Sequence, residues 1–194
     1  LFDRTETVTV DGQGEFDGYP NRDSLSYREV YGLDNIPTIL RGTLRKVGFT
    51  DAWHILVQLG YTDDSILFDD LQSLTIRDIT NSFLPFHGTL TLEEKLIIKH
   101  NPSSEVMKRL SWLGLFDKTP ITLNLGTACD ILLHIITSKW KLSPQDKDMI
   151  VMQHQFNYIL DGENRTNWSS LVLKGKDAEH TSMSATVGLP LGIM

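Results

Sequence analysis

Three arginines sit where neighbouring residues restrain them: Arg22 in "EFDGYPNRDS" (15–24), and Arg41 and Arg45 in "TILRGTLRKVGF" (38–49). Tyr19-Pro20 stiffens the chain just ahead of Arg22, and Asp23 or Ser24 behind it suits the cap of a short helix. Arg41 and Arg45 stand four apart in a strand-like run, so their side chains point to one face. Gly42 between them admits a ligand or a second backbone close to the chain. A planar guanidinium on restrained backbone suits two-pronged recognition of a carboxylate, and the two phrases together make one clamp. The same spacing also fits ordinary surface pairing of these arginines with Asp23, Glu29 or Asp34.

Other chemistries find no support. G-x-G-x-x-G is absent: "GQGEFDG" has the wrong spacing and leads into "YPNRDS", not into a helix opened by phosphate-facing glycines. There is no G-x-x-x-x-G-K-[ST], no H-E-x-x-H and no G-x-S-x-G. The six histidines, at 54, 87, 100, 134, 154 and 180, have no ligand spacing, so no metal site and no catalytic residue is assigned. His134 and His154 read as packing residues of a helix and a strand, and Met149 and Met152 fall on opposite strand faces. The one cysteine, Cys129, lies in the apolar run "TACDILLHIITSKW" and reads as a small buried hydrophobe in a reducing compartment.

A formal net charge of -7 argues against nucleic acid as the main partner, because phosphate binding needs a basic face. No stretch approaches the roughly 18 apolar residues of a membrane span, and "LFDRTETVTV" lacks the basic start and apolar segment of a signal peptide. A cytoplasmic protein is the expectation, with no membrane partner.

Element patterns frame the clamp. "ETVTV" (6–10) alternates as a strand and ends in the turn "DGQG". "DSLSYREVYG" (23–32) predicts a short helix stopped by Gly32, and "PTILRGTLR" (37–45) a strand interrupted by Gly42. From about 46 to 146 the pattern is helical. Helices are predicted over 50–60 with Thr50 as cap, 75–84, 91–100 with the capping box Thr91/Glu94, 103–114, and 127–140 with Ala128, Ile131, Leu132 and Ile135 on one stripe. β patterns return after 146. "KDMIVMQHQFNYIL" and "ENRTNWSSLVLKG" flank Asp161-Gly162, a strong hairpin signal. A last helix follows from Thr181 or Ser182. The fold class expected is α+β: an α/β domain with a mixed or antiparallel sheet, built from 1–45 and 147–194, interrupted by a helical insertion at 46–146.

The phrases "YPNRDSLSYREVYGL", "TILRGTLRKVGF", "LSWLGLF", "KDMIVMQHQF" and "SMSATVGLP", in this order and spacing, resemble the glutamate-forming saccharopine dehydrogenases, also called saccharopine reductases, and the dehydrogenase half of bifunctional aminoadipic semialdehyde synthases. The resemblance runs from about residue 15 to the end. It is most specific in "YPNRDS" and "RGTLR", and weakest in the helical block outside "LSWLGLF".

It implies an N-terminal Rossmann domain binding NAD or NADP, a second α/β domain that closes over substrate and forms a homodimer, and a helical domain inserted in the second. It carries substrate contacts over to Arg22 and to Thr43, Leu44 and Arg45. The reaction implied is oxidative cleavage of saccharopine to glutamate and 2-aminoadipate 6-semialdehyde in lysine metabolism. A mitochondrial location fits if the parent is the bifunctional enzyme.

Measured against that pattern, the dinucleotide-binding domain is missing in front and the chain stops where the family continues in a helix. The resemblance therefore implies an excised part of a longer enzyme, inactive alone. Two other readings remain: an amine dehydrogenase of the same architecture, of carboxynorspermidine or homospermidine type, and a non-enzymatic dimerising interaction module.

Overall fold

The computed structural model describes residues 2, 4–21 and 23–193. They divide into two compact units, Leu1–Val8 with Glu15–Trp140, and Thr9–Gly14 with Lys141–Met194.

Most of a three-stranded sheet belongs to the first unit; in it β2 (Gly14–Pro20) lies between β1 (Glu6–Val10) and β3 (Gly42–Lys46). Strand β1 matches the alternation of "ETVTV". Strand β2 was not expected, because glycines and acids hide its pattern. Its inward positions are Phe16 and Gly18, both buried, and at Gly18 a Cβ would stand 2.8 Å from Val8 Cγ2. The glycine there is an adaptation to close strand packing. Strand β3 starts later than the predicted run, so Arg41 lies just ahead of it.

Helix α1 is only Tyr27–Val30, because Asp23 Oδ1 accepts from the amides of Leu25 (2.8 Å) and Ser26 (3.4 Å) and holds a turn where the helix was expected to begin.

Helix α2 (Phe49–Leu59) also departs from expectation. Its N-cap is Gly48, in the left-handed region at φ +84°, and Thr50 is a buried residue of the first turn. Gly60 ends it as predicted, at φ +100°. The short strand β4 (Leu67–Phe68) and a 3₁₀ turn (Leu71–Ser73) lead to α3 (Ile76–Ser82), α4 (Leu92–His100) and α5 (Ser104–Leu113). Strand β5 (Gly126–Thr127) pairs with β4, and α6 (Ala128–Lys139) follows. Capping boxes open α3 (Thr75/Asp78), α4 (Thr91/Glu94) and α6 (Thr127/Asp130).

The helices enclose one core that includes Leu56, Tyr61, Leu71, Ile79, Leu96, Leu110, Leu115, Ile121, Ile131 and Ile135. On α6 the buried stripe is the predicted one, Ala128, Ile131, Leu132 and Ile135. Cys129 is exposed, not buried: one residue past Ala128 is a 100° step round the helix, which carries it off the stripe.

In the second unit β6 (Met149–Leu160) and β7 (Glu163–Lys174) form an antiparallel hairpin closed by Asp161 (φ +54°) and Gly162 (φ +80°), the turn that Asp-Gly predicts. Helix α7 (Ser182–Ile193) follows. Thr181 Oγ1 accepts from the Ser184 amide, and Asp148 accepts from Ser182 N, Ser182 Oγ and Met183 N at 2.7–2.9 Å. Among the described residues the strands pair into three sheets, not one, and no helix is long and apolar enough to cross a membrane.

Candidate functional site

The β2–β3 ladder sets Asp17 opposite Arg45, Gly18 opposite Leu44 and Tyr19 opposite Thr43. Directly opposed residues share a face and faces alternate along each strand. Asp17, Tyr19, Thr43 and Arg45 therefore lie on one face, and Phe16, Gly18, Leu44 and Lys46 on the other. Of the three strand residues that the resemblance singles out, Thr43 and Arg45 are brought together. Leu44 faces the opposite way, its Cδ2 within 3.6 Å of where a Cβ on Gly18 would stand.

Arg45 is exposed, and among the described residues no carboxylate pairs with it. Its Cζ lies over the Phe49 ring, 5.6 Å from the centroid, and its Nη1 donates to its neighbour's carbonyl, Leu44 O, at 3.2 Å. The acid opposite it on the ladder is committed elsewhere. Asp17 Oδ2 accepts from Gly48 N (2.8 Å), Thr50 N (3.3 Å) and Thr50 Oγ1 (2.9 Å), and so closes the start of α2. Phe49 in turn stacks on Trp53 (5.5 Å, 13° between planes), and Trp53 on Trp140 (6.0 Å, 28°). The result is an exposed guanidinium held against an aromatic wall, with its outer donors available to an anion.

Arg22 lies outside the described residues. The residues on either side are tied to the second arginine phrase: Asn21 N donates to Arg41 O (2.9 Å), and Arg41 N donates to Ser24 Oγ (2.9 Å). The ladder and these bonds thus lay Tyr19, Pro20 and Asn21 beside Thr43, Gly42 and Arg41. Arg41 does not share the surroundings of Arg45. Its Cζ sits 4.2 Å from the centroid of Tyr27, a ring that itself stacks on Tyr31.

Nor, among the described residues, does Arg41 or Arg45 pair with Asp23, Glu29 or Asp34. The Asp23 carboxylate holds its own turn, and Arg28 reaches the main-chain carbonyls of Asp34 (2.5 Å) and Ile36 (2.7 Å). Sequence reasoning missed Tyr19 as a member of the Thr43/Arg45 face and missed the Phe49–Trp53–Trp140 stack. The i, i+4 spacing of Phe49 and Trp53 was the only signal for the latter.

The shifted titrations belong to packing and capping. Burial pushes the Tyr61 hydroxyl up to about 12 while Thr80 Oγ1 bonds it at 2.7 Å. The Arg77 guanidinium, two-pronged on Glu93 at 2.7 and 2.8 Å, holds that carboxyl below its usual value. Burial lowers His100, with Lys99 and His54 adding to the effect. No group of three or more His, Cys, Asp or Glu residues is placed to hold a metal among the described residues.

A nicotinamide dinucleotide does not fit the described glycines. Gly12 (φ +71°) and Gly14 (φ +83°) make a tight turn, but that turn leads into β2 and not into a helix whose amides could take the pyrophosphate.

An α+β chain whose three-stranded sheet carries an exposed arginine beside an aromatic stack, with no dinucleotide fold among the described residues, is the class that fold and site define. The family model of the saccharopine dehydrogenase C-terminal domain matches residues 1–194, and the chain belongs to that family. It is 30% identical over 186 residues to saccharopine dehydrogenase [NADP(+), L-glutamate-forming] of Schizosaccharomyces pombe, covering 90% of this chain and 41% of that protein. It is 31% identical to the mitochondrial alpha-aminoadipic semialdehyde synthase of Rattus norvegicus, covering 90% of this chain and 19% of that protein.

Among solved structures, apo saccharopine dehydrogenase (L-Glu forming) from Saccharomyces cerevisiae superposes with a TM-score of 0.81 at 30% identity, over 98% of this chain and 44% of that one. The chain thus spans less than half the length of these relatives.

Proposed function

We propose that this chain is the substrate-binding and dimerisation part of a glutamate-forming saccharopine dehydrogenase, with NAD or NADP bound by another part of a longer enzyme. The observation that carries the reading is Arg45: exposed, laid on Phe49, beside Thr43, and without a carboxylate partner among the described residues. Saccharopine brings three carboxylates to be recognised. Arg22 and Arg45 hold two of them as a clamp, with Thr43 beside Arg45 on the same face, while Leu44, turned to the other face, supports the strand from behind. Each charge-assisted bond contributes roughly 1.5–3 kcal/mol. Their role is to bind and orient the substrate, which removes part of the entropic barrier before any bond changes. A polyamine substrate of the carboxynorspermidine type calls for carboxylates in the pocket, and an exposed arginine argues against it.

In this reading residues 1–45 and 147–194 form the substrate domain, and 46–146 its helical insertion. A second copy seats on the hairpin face made by Met152, Phe156, Tyr158 and Leu160 of β6 with Leu171 of β7, all of them exposed and on one side by register. The test is saccharopine-dependent NAD(P)H formation, expected of the longer enzyme and not of the 194-residue chain alone. Turnover by the isolated chain contradicts the division of labour. Failure of the longer enzyme to use saccharopine contradicts the substrate.

A further inference from the structure

Arg45 has few means of keeping one orientation. It is exposed, the one hydrogen bond its side chain makes among the described residues is the 3.2 Å contact to Leu44 O, and Asp17 opposite it is engaged with α2. What lies against the guanidinium is the Phe49 ring. That ring is fixed from two directions. Phe49 is the first residue of α2, whose opening amides Asp17 closes. Its ring stacks on Trp53 at 5.5 Å and meets Trp140 at 6.3 Å, and the two indoles stack on each other at 6.0 Å.

A ring under a guanidinium attracts the cation and limits its rotamers while leaving the N–H edge free, so less freedom is lost when an anion binds. We infer that Phe49 is a positioning residue for carboxylate recognition, acting through Arg45 and braced by Trp53 and Trp140. The inference rests on the substrate reading above and adds to it a residue that never touches the substrate.

The test uses the longer enzyme with saccharopine. Phe49→Leu is expected to raise KM for saccharopine by about two- to fivefold, with kcat and KM for the nicotinamide cofactor unchanged, and Phe49→Trp to restore it. In an Arg45→Gln background Phe49→Leu is expected to add nothing. The same penalty in both backgrounds shows a purely structural role and overturns the inference. Should Phe49→Leu fold poorly, substitution of 4-fluoro- and then pentafluorophenylalanine at position 49 keeps the shape and weakens only the ring's attraction for the cation. KM is expected to climb along that series, and a flat series overturns the inference. If Arg45→Gln alone leaves KM for saccharopine unchanged, the clamp itself fails and Phe49 falls with it.

Discussion

Asp17 and Thr50, one on β2 and one in the first turn of α2, are joined twice: Asp17 Oδ2 accepts from Thr50 Oγ1 at 2.9 Å and from Thr50 N at 3.3 Å. The strand's carboxylate does the work of a helix cap that Gly48 cannot supply. One contact therefore sets the direction in which Phe49 leaves the sheet, and with it the ring beneath Arg45. Asp17→Ala is expected to destabilise the first unit by about 1–2 kcal/mol, read as a lower urea midpoint with unchanged m. A midpoint like that of the unsubstituted chain contradicts the capping role.

Gly175 stands where a Cβ would fall 2.1 Å from Asp148 Oδ1 and 3.1 Å from Ser182 N. Gly175→Ala is expected to displace the carboxylate from the start of α7 and speed amide exchange at Ser182 and Met183. Gly188, inside α7 with open space around it, gives the contrast. Gly188→Ala should raise helicity, by up to about 1 kcal/mol of helix propensity. Equal exchange rates in the Gly175→Ala variant and the unsubstituted chain contradict the cap.

The caps have a pH signature. Thr75 lowers Asp78 chiefly through its hydroxyl, Thr91 and Thr127 lower Glu94 and Asp130 chiefly through their amides, and the Ser182 hydroxyl leads at Asp148. A carboxyl whose folded pKa is depressed contributes stability that is present above its unfolded value, about 4, and lost as pH falls through the folded one. Carbon-detected titration should find all four below ordinary carboxyls, with Thr91→Ala returning Glu94 toward its usual value. Titration of these groups near or above pH 4.5 contradicts the assignment.

Tyr61 is fully buried, and its hydroxyl meets Thr80 Oγ1, which also contacts the carbonyls of Ile76 and Leu115. Tyr61→Phe removes one donor and leaves Thr80 its carbonyl partners. The expected cost is about 0.5–1.5 kcal/mol, measured by thermal or urea unfolding. A cost above about 4 kcal/mol indicates that the core rearranges.

How much of this was legible in the sequence follows from how local each signal is. The capping box at Thr91, the α6 stripe and the Asp161-Gly162 turn depend on neighbours no more than four residues apart, and all were readable, whereas the equally local box at Thr127 was overlooked. Strand β2 was not, because Gly18 is chosen for Val8 across the sheet and not for its own propensity. Thr50 resembles a helix cap in sequence, but its hydroxyl bonds an acid 33 residues back. Cys129 was misread because an apolar run does not reveal which residues face outward until the helix phase is fixed. At the site, the arginine phrases were visible. Their juxtaposition through the β2–β3 ladder and the arrival of Trp140 are long-range facts that no spacing encodes, and the Arg45–Phe49 contact, though only four residues apart, spans the end of β3 and the start of α2, where no single period applies.

The central claim is that Arg22 and Arg45 clamp carboxylates of saccharopine, and steady-state kinetics of Arg45→Lys in the longer enzyme tests it most directly, with Arg22→Lys beside it. Lysine keeps the charge and loses the two-pronged fork. The account predicts a loss of roughly 1.5–3 kcal/mol of transition-state binding, about ten- to a hundredfold in kcat/KM for saccharopine, with affinity for the nicotinamide cofactor nearly unchanged. A kcat/KM for saccharopine equal to that of the unsubstituted enzyme contradicts it, since a surface ion-pair partner costs well under about 1 kcal/mol.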